Sequence, residues 1–174
     1  RPAGRHIPIQ DLLRSGQEVL VQVTKDGIGK KGPTLTTYLS IPGKYMVLMP
    51  SLARIGVSKR IRDIEVRRKL KAMIRDVERP PGMGVIVRTA GAGRTQEELQ
   101  RDFEYLIRLW EQLERRAKSS RAPVTIYRES DLVIRTIRDI FTPDVEELVV
   151  DSEEVYDRIA EFLEQLMPEF RDRL

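Results

Sequence analysis

Apolar and polar residues change period along the chain, and each change predicts a change of element. Residues 17–23 alternate, with Val19, Val21 and Val23 set against polar neighbours, as on a half-buried strand. Turn formers and positive charge then dominate residues 24–33, where Lys25, Asp26, Gly27, Gly29, Lys30, Lys31, Gly32 and Pro33 predict a loop. Two further strand-like runs, 35–41 and 45–49, meet at Pro42 and Gly43, so the opening part reads as an antiparallel meander, a small barrel or its remnant. After Pro50 the period becomes helical. Ile61, Ile64, Leu70, Met73, Ile74 and Val77 fall on one face, and Arg79, Pro80, Pro81 and Gly82 end the run.

Residues 84–88 predict a short apolar strand and 90–94 a glycine-rich loop. The long helix beyond opens with Thr95 and Glu98 at capping-box spacing. Leu99, Phe103, Leu106, Trp110 and Leu113 form its buried stripe, opposite Glu104, Arg108, Glu111 and Arg115. The remainder predicts a strand at 124–127, a helix over 131–141 ending near Pro143, and a strand at 147–150. A last helix, capped by Asp151 or Ser152, turns Val155, Ile159, Phe162 and Leu166 inward. The fold class expected is mixed, α/β or α+β, with antiparallel strands first and strands alternating with helices afterwards.

Composition narrows the class. With 174 residues, 40% hydrophobic and 33% charged, the chain is too apolar for a disordered segment and too interrupted by charge for a membrane span. Having no Cys, it excludes a disulfide framework, Cys-ligated zinc and a thiol nucleophile, and is compatible with a cytoplasmic location. His6 is the only histidine, which leaves carboxylates as the abundant general bases. The 31 Lys+Arg against 27 Asp+Glu give a net charge of only +4, so the distribution of basic residues matters more than their sum. Residues 1–8 carry no charged-then-apolar leader, and a start at Arg1 predicts an excised segment.

Residues 82–94 are the most informative for chemistry. They run strand, loop, helix: glycines allow several N–H groups to face one anion, and the next helix offers its positive end. Arg88 adds a planar fork for two phosphate oxygens and Thr89 a hydroxyl. On the residues alone this is either a site for a terminal phosphate or a plain turn with a solvated arginine; it lacks the Gly-Lys-Ser/Thr of a Walker A loop. A second cluster, Lys59, Arg60, Arg62, Arg67, Arg68, Lys69 and Lys71, faces only Asp63 and Glu65, and Lys25, Lys30 and Lys31 could extend it. Such a face either tracks nucleic-acid phosphates or is simply solvated. Tyr38 and Tyr45 could stack on bases or pack on strands. Among the carboxylates Asp131, Asp139, Asp144, Glu146, Glu147 and Asp151 no pair has the arrangement of a metal site, so no catalytic residue and no metal ligand is assigned.

Several words occur together and in order: Gly16-Gln17-Glu18-Val19-Leu20-Val21-Gln22-Val23, Lys31-Gly32 before Leu35-Thr36-Thr37, Val47-Leu48-Met49-Pro50, Gly56-Val57-Ser58-Lys59-Arg60-Ile61, and the run from Gly82 to Gly93. In order and spacing they resemble the ribonuclease E/G family, nearly end to end. The resemblance implies the C-terminal part of an S1 domain of the oligonucleotide-binding type at residues 1–37, a 5′-sensor subdomain at 38–128 and part of a ribonuclease-H-like subdomain at 129–174. By the same resemblance Arg88 and Thr89 match the pair that grips an RNA 5′ monophosphate, and Val47 and Gly43 lie beside the first nucleotide. Lys31 matches an RNA-contacting S1 lysine. Lys59 and Arg60 stand where the family commonly has two arginines, and Lys59 keeps the charge without the fork.

The implied function is RNA binding and 5′-monophosphate sensing within a single-strand-specific endoribonuclease of RNA processing and decay. The implied parent is a cytoplasmic, magnesium-dependent hydrolase, a homo-oligomer with a zinc link in some members. Its catalytic aspartates and zinc-linking cysteines would lie beyond Leu174, so this segment alone is expected not to cleave RNA. The alternative is a freestanding, non-catalytic module for single-stranded RNA. An open reading frame continuing past Leu174 would favour the first, a stop codon there the second.

Overall fold

The computed structural model describes residues 7–77, 79–128 and 132–174. The chain divides into two compact units, one ending at Thr37 and one spanning Tyr38–Leu174. His6 and Asp131 lie outside the described residues.

The first unit holds a single helical turn, α1 (Ile9–Leu12), and two short strands, β1 (Gln22–Lys25) and β2 (Thr34–Thr36). These pair antiparallel, Val23 opposite Leu35, with a register shift between Val23 and Lys25. The strand expected over 17–23 is thus displaced towards the lysine-rich loop, because alternation marks a face but a strand forms only where a partner supplies hydrogen bonds. None of the described residues up to Thr37 is buried. Val19, Val23 and Leu35 stand 42%, 54% and 52% exposed, so this pair of strands has no core of its own.

The second unit contains a four-stranded sheet from β3 (Ile41–Pro42), β4 (Met46–Met49), β5 (Ile55–Val57) and β6 (Gly84–Val87), in the order β3-β4-β6-β5. The first two junctions are antiparallel and β6 runs parallel to β5. A continuous opening meander does not form: β2 and β3 belong to different sheets, the predicted 35–41 run being broken between them. Strand β5 lies where the sequence predicts the approach to a helix, since three residues are too few to show alternation. It leads through α2 (Ile64–Arg75) into β6 as a βαβ unit. Asp63 caps α2 by accepting from the amides of Glu65 and Val66. Leu70 and Ile74 are buried as expected, whereas Ile64, in the first turn, is 77% exposed.

Helix α3 (Gln96–Ser119) carries the capping box its sequence predicts. Its inner stripe, Leu99, Phe103 and Leu106, belongs to one core with Met46, Leu48, Val85 and Val87 of the sheet and Leu70 and Ile74 of α2. Trp110 and Leu113 are only partly buried, at the margin of that core. The rest is helical: α4 (Leu132–Ile140), α5 (Glu153–Leu166) and a 3-10 segment at Pro168–Arg173. Neither expected strand here, 124–127 or 147–150, is present. Val124 and Tyr127 remain exposed, and residues 143–148 are held by Arg173 instead, which donates from Nη1 to Pro143 O and whose carbonyl accepts from Leu148 N. The mixed class stands, with its alternating half replaced by helices packed on helices. Among the described residues no helix is long and apolar enough to cross a membrane.

Candidate functional site

Strand directions bring the singled-out residues to one end of the sheet. β5 and β6 run parallel, so their C-terminal ends, Ser58 and Arg88, are neighbours, and β4 runs opposite, so its start at Tyr45 joins them. Two backbone bonds extend the pairing past the strands: Ser58 N donates to Val87 O at 2.8 Å, and Arg88 N to Tyr45 O at 2.8 Å. Gly43, Arg88, Thr89, Lys59 and Arg60 therefore all follow or precede strands at this end. Outside the carboxyl ends of parallel strands is where α/β sheets commonly bind ligands.

Arg88 folds back across the sheet end, and Nη1 donates to Gly43 O and, at 3.4 Å, to Lys44 O. That uses one terminal nitrogen of a fork with five N–H donors, leaving Nε and Nη2 as a side-on pair for an anion. Thr89 is exposed and opens a 3-10 turn, Thr89–Gly91, whose first two amides, Thr89 and Ala90, donate to no backbone acceptor among the described residues. Of the glycines expected to turn amides towards an anion, Gly91 donates to Arg88 O and is needed for space, since a Cβ would come within 2.6 Å of Val87 Cγ1, while Gly93 N donates to no backbone acceptor among the described residues. At the helix N-terminus the capping box takes up the amides of Thr95 and Glu98, and Glu97 and Glu98 complement its dipole. Val47, half-buried on β4, pairs with Ile86, two residues before Arg88 and so on the same face.

Two residues that sequence reading missed lie beneath this end. Asp102 on α3 is 8% exposed, and its carboxylate accepts from three successive amides: Lys44 N at 2.8 Å on Oδ1, and Tyr45 N at 2.8 Å and Met46 N at 2.7 Å on Oδ2. Burial raises its pKa, opposed by those three amides and the charge of Arg138. Arg138 on α4, 6% exposed, donates from Nη1 to Pro42 O at 3.1 Å and pairs with Asp139. Both were detectable as charges on apolar stripes, Asp102 between Leu99 and Leu106, Arg138 between Ile134 and Phe141. Lys44 donates from Nζ to Phe141 O at 3.0 Å, and burial lowers its pKa, with Asp139 opposing. Lys44 and Arg94 each approach the buried Tyr45 ring at 5.4 Å, which makes Tyr45 a packing residue and not an open stacking platform. Tyr38 is 64% exposed.

The basic cluster separates into two roles. Lys59 and Arg60 are exposed on the turn after β5, whereas Arg67 points back at it: Nη1 donates to Ser58 O at 2.6 Å and Ile61 O at 3.0 Å, and Nη2 to Val57 O at 3.4 Å. Arg62, Arg68, Lys69 and Lys71 are exposed, Arg68 pairing with Glu65. Lys31 lies in the first unit, exposed, in an isolated bridge with Ile28. Of the carboxylates, Asp139 pairs with Arg138, and among the described residues no three His, Asp or Glu gather as a metal-ligand set.

The sequence profile of the Ribonuclease E/G family matches residues 40–174. Ribonuclease E of Haemophilus influenzae is 42% identical over 167 residues, which are 95% of this chain and 18% of that protein. For ribonuclease E of Escherichia coli the identity is 40%, over 95% of this chain and 16% of the relative. Ribonuclease G of Haemophilus influenzae is 38% identical over 95% of this chain and 34% of its own length. The chain thus spans well under half the length of these relatives. With most of the second unit inside the family's profile and identity near 40% across almost the whole sequence, the chain belongs to the ribonuclease E/G family.

Proposed function

We propose that this chain is the RNA-binding segment of an endoribonuclease that senses a 5′ monophosphate. The observation that carries the proposal is the docking of Arg88 Nη1 on Gly43 O, which leaves Nε and Nη2 of the fork for an anion, next in sequence to Thr89 and to two amides, Thr89 and Ala90, that donate to no backbone acceptor among the described residues. In this reading the fork and the Thr89 hydroxyl hold the terminal phosphate, and Gly43 and Val47 lie beside the first nucleotide. A compact arrangement of one fork and two amides matches a single phosphate; a triphosphate or capped end overfills it. Lys59 and Arg60, at the same end of the sheet, contact the RNA backbone, and Lys31 contributes from the first unit. The first unit is read as S1-derived, residues 38–128 as the sensor and 129–174 as the start of a ribonuclease-H-like part.

The parent enzyme, in this proposal, is cytoplasmic and homo-oligomeric, acts in RNA processing and decay, and cleaves single-stranded RNA by magnesium-assisted hydrolysis. In the same proposal cleavage, and the zinc link of some members, belong to a part of the parent outside this chain, which spans 18% and 16% of the ribonuclease E relatives. The decisive measurement compares binding of short single-stranded RNAs with 5′-monophosphate and 5′-hydroxyl ends. The chain should prefer the monophosphate, and Arg88→Ala should remove the preference, a loss of about 1.5–3 kcal/mol for one charge-assisted contact. Equal affinity for both ends rejects the assignment.

A further inference from the structure

Arg88 rests on two carbonyls, and those carbonyls are only as fixed as the segment that carries them. Residues 42–46 lead from β3 into β4 and are tied from beneath along their length: Arg138 holds Pro42 O, and Asp102 holds the amides of Lys44, Tyr45 and Met46. Between them, Gly43 sits against the carboxylate so closely that a Cβ would lie 2.7 Å from Asp102 Oδ1. Above, the same segment presents Gly43 O and Lys44 O to Arg88 Nη1 and Tyr45 O to Arg88 N. One buried carboxylate thus grips the underside of the segment whose upper side aims the guanidinium.

We infer that Asp102 is a positioning residue for the anion grip: it fixes Gly43 O and Lys44 O, and through them the direction in which Arg88 presents its free donors. This deepens the proposed 5′-monophosphate reading and rests on it for its functional consequence. The chemistry selects a carboxylate. Both oxygens accept, so an amide in the same space would set an NH2 against at least one of the three N–H donors. Asp102→Asn keeps the shape of the side chain and removes the acceptor pattern.

The test uses the full chain and two readouts. In the first, wild type, Arg88→Ala and Asp102→Asn are titrated with 5′-monophosphate and 5′-hydroxyl RNA. Asp102→Asn should reduce the monophosphate preference at least several-fold while leaving affinity for the hydroxyl RNA unchanged, at a temperature where circular dichroism shows the variant folded. A purely structural residue would weaken both RNAs alike or neither, and that outcome overturns the inference. The second readout needs no RNA. The Arg88 Nε–Hε resonance, assigned by its loss in Arg88→Ala, should broaden or shift in Asp102→Asn. An unchanged resonance sinks the coupling, whereas wild type lacking monophosphate preference sinks the sensor reading and leaves the coupling to be judged by the resonance. Should Asp102→Asn not fold, Gly43→Ala disturbs the same approach from the segment's side and should alter the Arg88 resonance in the same way; if it does not, the inference fails.

Discussion

Arg67 shows how one side chain can support a candidate binding surface by holding the backbone that carries it. Its guanidinium binds three carbonyls of the turn that exposes Lys59 and Arg60. Replacing it by Ala leaves those acceptors without their charged donor, so Arg67→Ala should lower unfolding free energy by about 2 kcal/mol, read from urea midpoints. It should also weaken RNA binding more than Lys69→Ala. Lys69 is exposed and makes no such bonds, so its removal should change stability by no more than about 0.5 kcal/mol. Equal effects of the two substitutions would show that the turn holds without Arg67. In the sequence the two residues are indistinguishable members of one basic run; helical period puts Arg67 one turn before Leu70 and Lys71, but only the fold shows which carbonyls lie within its reach. Asp102 was more legible, as an acid three residues after Leu99 and four before Leu106 on an apolar stripe. Its partners were not, since they come from amides 56–58 positions away.

At the level of elements, signals carried within one segment are the ones the fold realises. The long helix has its own, a capping box and a four-three stripe, and both are present in α3. Strands depend on partners, so of the alternating run at 17–23 only Gln22 and Val23 find a neighbour, and the apolar runs at 124–127 and 147–150 form no strand. Caps make the distinction measurable. Thr95 Oγ1 accepts from Glu98 N at 3.2 Å and Glu98 Oε2 from Thr95 N at 2.8 Å. Ser152 holds the equivalent place before α5 yet makes no capping bond. Thr95→Ala should therefore cost about 1 kcal/mol, and Ser152→Ala only a few tenths, by thermal or chemical denaturation. Similar losses at both positions would mean that propensity, and not the side-chain bond, sets the helix starts.

For the whole molecule, the distribution of burial decides which part is self-sufficient. Every residue of the hydrophobic core, from Ile41 to Phe170, lies in the second unit, and none of the described residues up to Thr37 is buried. The candidate site follows the core: Gly43, Val47, Lys59, Arg60, Arg88 and Thr89, with Asp102 and Arg138 beneath them, are all in Tyr38–Leu174, while Lys31 belongs to the first unit. A strand pair without an apolar core is marginal on its own, so amides of β1 and β2 should exchange with solvent far faster than those of β4 and β6. Deleting residues 1–37 should leave the melting temperature of the remainder unchanged and keep any preference for a 5′ monophosphate. Total affinity for RNA should fall, because Lys25, Lys30 and Lys31 go with the deleted part. For every backbone phosphate that the shortened chain no longer neutralises, the dependence of log affinity on log salt should flatten by about 0.7 for single-stranded RNA. A deletion that lowered the melting temperature by many degrees would contradict the burial pattern. One that kept the salt slope intact would remove Lys31 from the RNA-binding surface.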